Sequence, residues 1–331
     1  MKISTTDMHT GGEPLRIITG GLPEIPGKTV LERRRYFRGN LDNIRTGLMW
    51  EPRGHADMYG VVITPPDSPD SDFGAFFLHN EGYSTMCGHA IIALARYAVE
   101  TGLVKKTGNN PEIIIDVPAG RIRAAAHIKK GRVVKSSFLN VPSFIYLKNG
   151  EVNVDGIGKV NFDVVFGGAF YAIVKADEFQ LKIVPSNSQQ FIGLGRKIKT
   201  AVSDMIQIKH PFEEDLSFLY GTIFTGRAEN PAHHSRNVCI FADGELDRSA
   251  TGTGVSARAA QHYFRGELKT GDKIIIESIL GTSMDVEIAG TTTFGPYPAV
   301  ITKVTGRAWF TGEHSFIFEN GDPLRKGFLI K

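Results

Sequence analysis

Cysteine is scarce in this chain: two residues, Cys87 and Cys239, among 331. Two thiols in that length make no disulfide framework, so a cytoplasmic protein with free thiols is the simplest expectation. Long apolar runs are missing too. No stretch reaches the roughly 18 residues that would span a bilayer, and the N-terminus, MKISTTDMHTGGEP, has no apolar signal core, so no membrane partner is expected. Charge of one sign is also lacking: 38 Lys and Arg stand against 35 Asp and Glu, a formal net charge of +3 spread along the chain. Without a basic block or interleaved aromatics, nucleic acid is not an expected partner. The densest basic cluster, ERRRYFR at 32–38, reads as a solvated helix face. Metal signatures are absent: there is no His pair at i, i+4 with a Glu between them and no paired-Cys motif, and His233-His234 lie in a polar loop that reads as solvated. GGEP and GLGRK lack the strand, Gly-rich turn and helix of a nucleotide site, and no Ser sits in a G-x-S-x-G setting.

What the chain does have is an internal repeat. DMHTGGEPLRII (7–18) matches DVVFGGAFYAIV (163–174), each an Asp, three residues, Gly-Gly and an apolar run. CGHAIIALA (87–95) matches TGTGVSARA (251–259), and EIIIDVPAG (112–120) matches KIIIESILG (273–281). The matches keep one order at offsets of 156, 164 and 161, which points to two similar halves of roughly domain size. LRIIT, YGVVIT, GAFFLH, EIIIDV and RIRAAAHI read as strands. Apolar residues from Ala90 onward recur at helical spacing up to Gly102, a C-cap candidate, and Val255 to Gly266 repeats the pattern. Each half is thus expected to be strands around one substantial helix, an α+β layout.

The two rare positions stand at these helix starts. The first turn of a helix has backbone N–H groups without internal partners and about half a unit of positive charge, a ready seat for an anion. Glycine in that turn lets a ligand approach the backbone, and a thiol there is shifted toward the thiolate. MCGHA therefore offers a base, anion-binding amides and an imidazole. If the halves face each other, a small carboxylate could be held by amides of Gly88, His89, Gly252 and Thr253, with Cys87 on one side and Thr251 on the other. Thr251 could equally be a plain N-cap, and Cys239, in RNVCIFAD, reads as a buried strand residue.

MCGHA, DRSATGTGVSARA, DMHTGGEPLR and EPRGHADMYG together resemble the proline racemase family, and the likeness runs from Asp7 to the DPLRKGFLIK end. The resemblance implies an α+β, diaminopimelate epimerase-like fold: two pseudo-symmetric domains, each a barrel-like sheet around a central helix, with the active site in the cleft between them. It puts the domains at 1–128 plus 318–331 and at 129–317. It also implies catalysis without a cofactor or metal, on a small proline-like substrate. In the racemases and hydroxyproline epimerases two thiols usually flank the α-carbon, but here the second position is Thr251, and Ala250 replaces a Pro common in that place. The Cys/Thr pairing resembles the branch that dehydrates trans-3-hydroxy-L-proline to Δ1-pyrroline-2-carboxylate. In that substrate the hydroxyl and the α-hydrogen share a ring face, so one thiol can serve both in a syn elimination. The implied roles are Cys87 as base, Gly88, His89, Gly252 and Thr253 as substrate contacts, Asp247 as ligand to the ring nitrogen and His9 as a candidate auxiliary acid. Alternatives are a proline racemase or 4-hydroxyproline epimerase, and a non-catalytic small-molecule binding protein. A homodimer is expected as the commonest oligomer.

Overall fold

The computed structural model describes residues 1–330. In chain order the elements are β1 (Lys2–Thr10), β2 (Glu13–Gly20), α1 (Val30–Asn40), α2 (Asp42–Met49), β3 (Tyr59–Thr64), β4 (Phe73–His79), β5 (Gly82–Ser84), α3 (Gly88–Glu100), β6 (Glu112–Val117), β7 (Gly120–Lys129) and β8 (Arg132–Leu139). There follow β9 (Phe144–Val154), β10 (Gly158–Phe166), β11 (Phe170–Lys175), α4 (Ser188–Met205), β12 (Leu219–Gly226), β13 (Ser235–Phe241), β14 (Glu245–Asp247), α5 (Gly252–Phe264), β15 (Lys273–Glu277), β16 (Ser283–Phe294), β17 (Tyr297–Gly306) and β18 (Ala308–Ile317). The chain divides into two compact units, residues 1–136 with 307–331, and residues 137–306. Among the described residues no helix is long and apolar enough to cross a membrane.

In the first unit β1 pairs antiparallel with both β2 and β18. Next, β2 runs parallel to β3, β3 antiparallel to β4, and β4 meets β5 antiparallel and β6 parallel, with β7 antiparallel to β6. The strands surround α3, whose Ala90 to Ala95 and Ala98 are all fully buried. A helix wet on no side carries no polar stripe, which is why IIALA is apolar nearly throughout.

The second unit repeats this order. β10 pairs with β9 and β11, β11 runs parallel to β12, and β13 meets β12 and β14 antiparallel and β15 parallel. β15, β16 and β17 continue antiparallel, and α5 is the central helix. The flanking strand comes from a different place in the sequence: β18 closes the first unit on β1, whereas β9 closes the second on β10.

The three sequence matches each have a structural cause. The Gly-Gly turns sit on the first turns of the central helices. Thr10 Oγ1, beside the first Gly pair, donates to the carbonyl of His89 at 2.8 Å. In the second unit a Cβ on Gly167 would lie 2.2 Å from the carbonyl oxygen of Thr253, the matched helix position. The matched acids pin corresponding loops, between β3 and β4 in the first unit and between β12 and β13 in the second. Asp116 accepts from the Asp67 N–H and from Ser71 Oγ, both at 2.8 Å. Glu277 accepts from the N–H groups of Glu229 and Asn230, both at 2.9 Å. The C-cap glycines fall one residue past the caps, with φ of 73° at Gly102 and 77° at Gly266, the left-handed region glycine enters without strain.

Three sequence readings need correction. The basic cluster of α1 is not a solvated face throughout, because Arg33 and Arg34 are buried; Arg33 donates to the carbonyl of Pro65 at 2.9 Å and pairs with Asp67 at 3.6 Å. A charge run read by composition does not show which members reach backbone carbonyls of a neighbouring loop. His233 is not simply solvated, since its Nδ1 lies 2.9 Å from the Glu277 carboxylate; His234 is exposed, as read, with its ring edge-on against His262 at 4.6 Å. Lastly, α4 was not foreseen. It buries Phe191, Gly195, Ile198 and Val202 on the second unit, half-buries Ile192, Leu194, Lys199 and Ala201, and exposes most of the rest.

Candidate active site

In the first unit the approach to Cys87 is braced from below. Arg45 of α2 donates to the carbonyls of His79, at 2.9 Å, and Asn80. Trp50 Nε1 reaches the same Asn80 carbonyl at 2.8 Å, and Asn80 itself donates to Met49 and accepts from the Met58 N–H. Tyr59 bonds Ser84 through its hydroxyl and sets its ring edge-on against His89, 4.8 Å between centroids. With the turn fixed, the chain passes Cys87 in extended geometry (φ −141°, ψ 104°) and becomes helical at Gly88, Cys87 being the N-cap. Its carbonyl takes the Ile91 N–H at 3.0 Å, while its side chain makes no cap bond. The sulfur lies 3.1 Å from His89 Nδ1 and is buried, only 4% exposed. A sulfur at a helix start beside an imidazole is an arrangement that favours thiolate.

The hairpin carrying His9 meets this turn through Thr10. His9 Nδ1 accepts the Gly12 N–H at 3.2 Å, which leaves the ring proton on Nε2, and burial lowers its pKa from 6.5. Both features favour a neutral imidazole.

In the second unit the segment before α5 is built from consecutive side-chain turns. Asp247, at the end of β14 and buried, accepts the Ser249 N–H at 2.7 Å, and Ser249 Oγ accepts the Thr251 N–H at 3.0 Å. Such local acceptors let a short loop turn sharply while its backbone stays satisfied. Beneath it, Lys199 of α4 donates to the carbonyl of Ala242 at 2.5 Å, and burial lowers its pKa. Each unit thus holds the turn ahead of its central helix with a cation from its inserted helix.

Thr251 stands at the N-cap position but does not act as a plain cap. Its side chain makes no cap bond, its φ is +65° with ψ 98°, and its buried Oγ1 has no partner among the described residues. Positive φ is costly for a β-branched residue, and a buried hydroxyl left unbonded costs more. Such strain is a mark of functional positions. Two residues on, Thr253 Oγ1 bonds the buried Tyr171 hydroxyl at 2.6 Å. A Cβ on Gly254 would crowd the site, lying 2.7 Å from Ile223 Cδ1 and 3.0 Å from the Thr251 side chain.

Within the first unit, then, Cys87, Gly88 and His89 fall in one short turn with the His9 hairpin against it; within the second, Asp247, Thr251, Gly252 and Thr253 fall in another. Sequence reasoning missed Tyr59, Tyr171, Ser249 and the bracing cations Arg45 and Lys199. Tyr59 lies within the EPRGHADMYG motif and was within reach; the others carry no local signal.

The family model described as proline racemase matches residues 5–329. A trans-3-hydroxy-L-proline dehydratase of Colwellia psychrerythraea is 50% identical over 331 residues, covering 100% of this chain and 93% of that protein. Another of that name, from Bacillus thuringiensis, is 46% identical over 334 residues and covers both proteins entirely. Among solved structures, a hydroxyproline epimerase of Agrobacterium vitis, determined with bound trans-4-hydroxy-L-proline, superimposes with a TM-score of 0.92 at 28% identity, covering 99% of this chain and 96% of the other. A family match over nearly the whole length, on a chain whose two units repeat one strand order around two matched helix starts, leaves one assignment: the chain belongs to the proline racemase family.

Proposed function

We propose that the chain dehydrates trans-3-hydroxy-L-proline to Δ1-pyrroline-2-carboxylate. The observation that carries this reading is the pair of helix starts: a thiol beside an imidazole at Cys87, and a hydroxyl at the matched position, Thr251. An alcohol is not ionised near neutral pH and is a poor acid toward carbon, so a two-base exchange at the α-carbon lacks its second base. The relatives named trans-3-hydroxy-L-proline dehydratase, similar over the full length, support the same reaction.

The mechanism begins with the substrate carboxylate on first-turn amides, where helix charge stabilises the negative charge that builds on it as the α-proton leaves. Gly88 and Gly252 keep those turns open to the ligand, His89 and Thr253 are its contacts, and Asp247 accepts from the ring ammonium. The Cys87 thiolate takes the α-proton. The electron pair of that C–H bond forms the C2–C3 double bond as the C3–O bond breaks, and the proton now on sulfur passes to the departing hydroxyl to make water. The substrate's hydroxyl and α-hydrogen share one ring face, so a single sulfur suffices and is returned as thiolate. The enamine then tautomerises to the imine. No cofactor enters, since each step moves only protons and the leaving water. Both cysteines are free thiols, which fits work in the cytoplasm.

The test is a parallel assay on trans-3-hydroxy-L-proline, L-proline and trans-4-hydroxy-L-proline. Imine formation from the first, with no rapid loss of optical rotation in the others, is the expected result. Rapid interconversion of L- and D-proline would overturn the proposal. His9→Ala with full activity would remove His9 as auxiliary acid.

A further inference from the structure

The repeat provides an internal control on what the fold itself requires. With Cys87 over Thr251, Leu94 of α3 lies over Arg258 of α5 and Ala98 over His262. The parallel pairings Phe73–Ile115 and Ser235–Ile276 place Phe73 over Ser235 and Ala75 over Asn237. In the first unit these four positions are Leu94, Ala98, Phe73 and Ala75, all at most 3% exposed, an ordinary apolar core. In the second they are Arg258, His262, Ser235 and Asn237. A central helix packed on its strands therefore needs no charge here, and the second unit has buried one.

Arg258 is 5% exposed. Its Nη1 donates to Asn237 Oδ1 at 2.7 Å; Nη2 reaches His262 Nε2 at 2.8 Å and Ser235 Oγ at 3.4 Å. All three are neutral acceptors: burial and the neighbouring Arg258 charge hold His262 neutral, its pKa lowered to about 4, even though its Nδ1 bonds Glu267. Arg258 pairs directly with no carboxylate among the described residues, and its Nε and the Nδ2 of Asn237 are buried without partners. A buried guanidinium is expensive unless an anion balances it.

The guanidinium borders a cavity of about 370 Å³ in the second unit, bounded also by Asn149, Thr225, Arg265 and the exposed Lys175. The carboxylates around it include Asp163, taken up by Arg265 at 2.5 Å and Gln261 at 2.6 Å, and Glu267, which bonds His262. Glu178 is exposed at the rim. What remains inside is a surplus of N–H donors around a guanidinium that no carboxylate touches directly, its nearest balancing charge being Glu267 on the far side of the neutral His262. We propose that this cavity binds a small oxyanion, a carboxylate or a phosphate, on Arg258, with Lys175 at the mouth. Arg258 lies seven residues beyond Thr251 on α5, about 10 Å along the helix axis, so the site is separate from the helix start.

The experiment titrates the whole chain with inorganic phosphate, and separately with acetate, against chloride at matched ionic strength, following thermal unfolding and heat of binding. Phosphate or acetate should raise the unfolding temperature of the wild type, and which of them does so identifies the ligand chemistry. In Arg258→Leu, which installs the residue of the matched first-unit position, and in Lys175→Glu, affinity should fall tenfold or more. No response beyond chloride in the wild type, or affinity unchanged in both variants, would overturn the site. If Arg258→Leu does not fold, Lys175→Glu, at an exposed position, decides alone.

Discussion

Cys87 and Thr251 hold matched positions but carry opposite burdens. Cys87 sits in relaxed extended backbone with an imidazole at its sulfur, whereas Thr251 sits at φ +65° with a buried hydroxyl that bonds none of the described residues. Removing the thiol should therefore cost chemistry and little stability: Cys87→Ala is expected to lose on the order of 10³-fold in kcat, with its unfolding midpoint nearly unchanged. Turnover near the wild-type rate would refute the assignment of Cys87 as base. Position 251 predicts the reverse for stability. Thr251→Gly relieves the backbone and deletes the unpaired hydroxyl, and should raise unfolding free energy by about 1 kcal/mol in denaturant titration; destabilisation would show that the strain is not real. The choice of Cys87 was legible in sequence because thiols are rare and this one precedes Gly-His and a helical pattern. The strain at Thr251 was not, because no sequence pattern reports a dihedral angle.

At the scale of elements, the Gly-Gly hairpins and the central helices form one device. The turn between β10 and β11 lies so close to α5 that a methyl on Gly167 would meet Thr253 O at 2.2 Å and Ala257 N at 2.7 Å, both backbone atoms that cannot swing aside. Gly167→Ala should destabilise by about 2–3 kcal/mol and shift the first turn of α5, lowering activity in the fraction that stays folded. Calorimetry with a parallel assay checks both; an unchanged midpoint would mean that the hairpin does not brace the helix. Strands and central helices were readable from apolar spacing, and their ends from Gly102 and Gly266. The insertions were less so. In α4 only one side is buried, and its polar residues outnumber its apolar anchors, so its pattern reads as surface. In α1 the arginines that turn inward do so for carbonyl partners far away in sequence, such as Pro65.

Over the whole molecule, one buried acid, Glu277, gives a response to pH. Burial pushes Glu277 upward, but bonds from the Glu229 and Asn230 N–H groups, His233 and Arg236 outweigh it and hold its carboxyl at about 2, against 4.5. A depressed carboxyl contributes its stability in full above the unfolded value and loses it as pH falls through the folded one. Stability should therefore decline between about pH 4.5 and 2, by up to about 3 kcal/mol from this group, and Glu277→Gln should flatten that part of the curve in denaturant titrations across pH. A slope retained in the variant would assign the acid sensitivity elsewhere. The sequence by itself determined the α+β class, the repeat and the family, because these rest on spacing: period-two and helical patterns, glycines where φ must be positive, and motifs at nearly constant offset. Only the tertiary structure decided which strand closes each unit, which cations brace the turns, and where a guanidinium replaces a leucine in otherwise matching cores. Those outcomes depend on partners distant in sequence, and burial, not local pattern, sets what each partner costs or contributes.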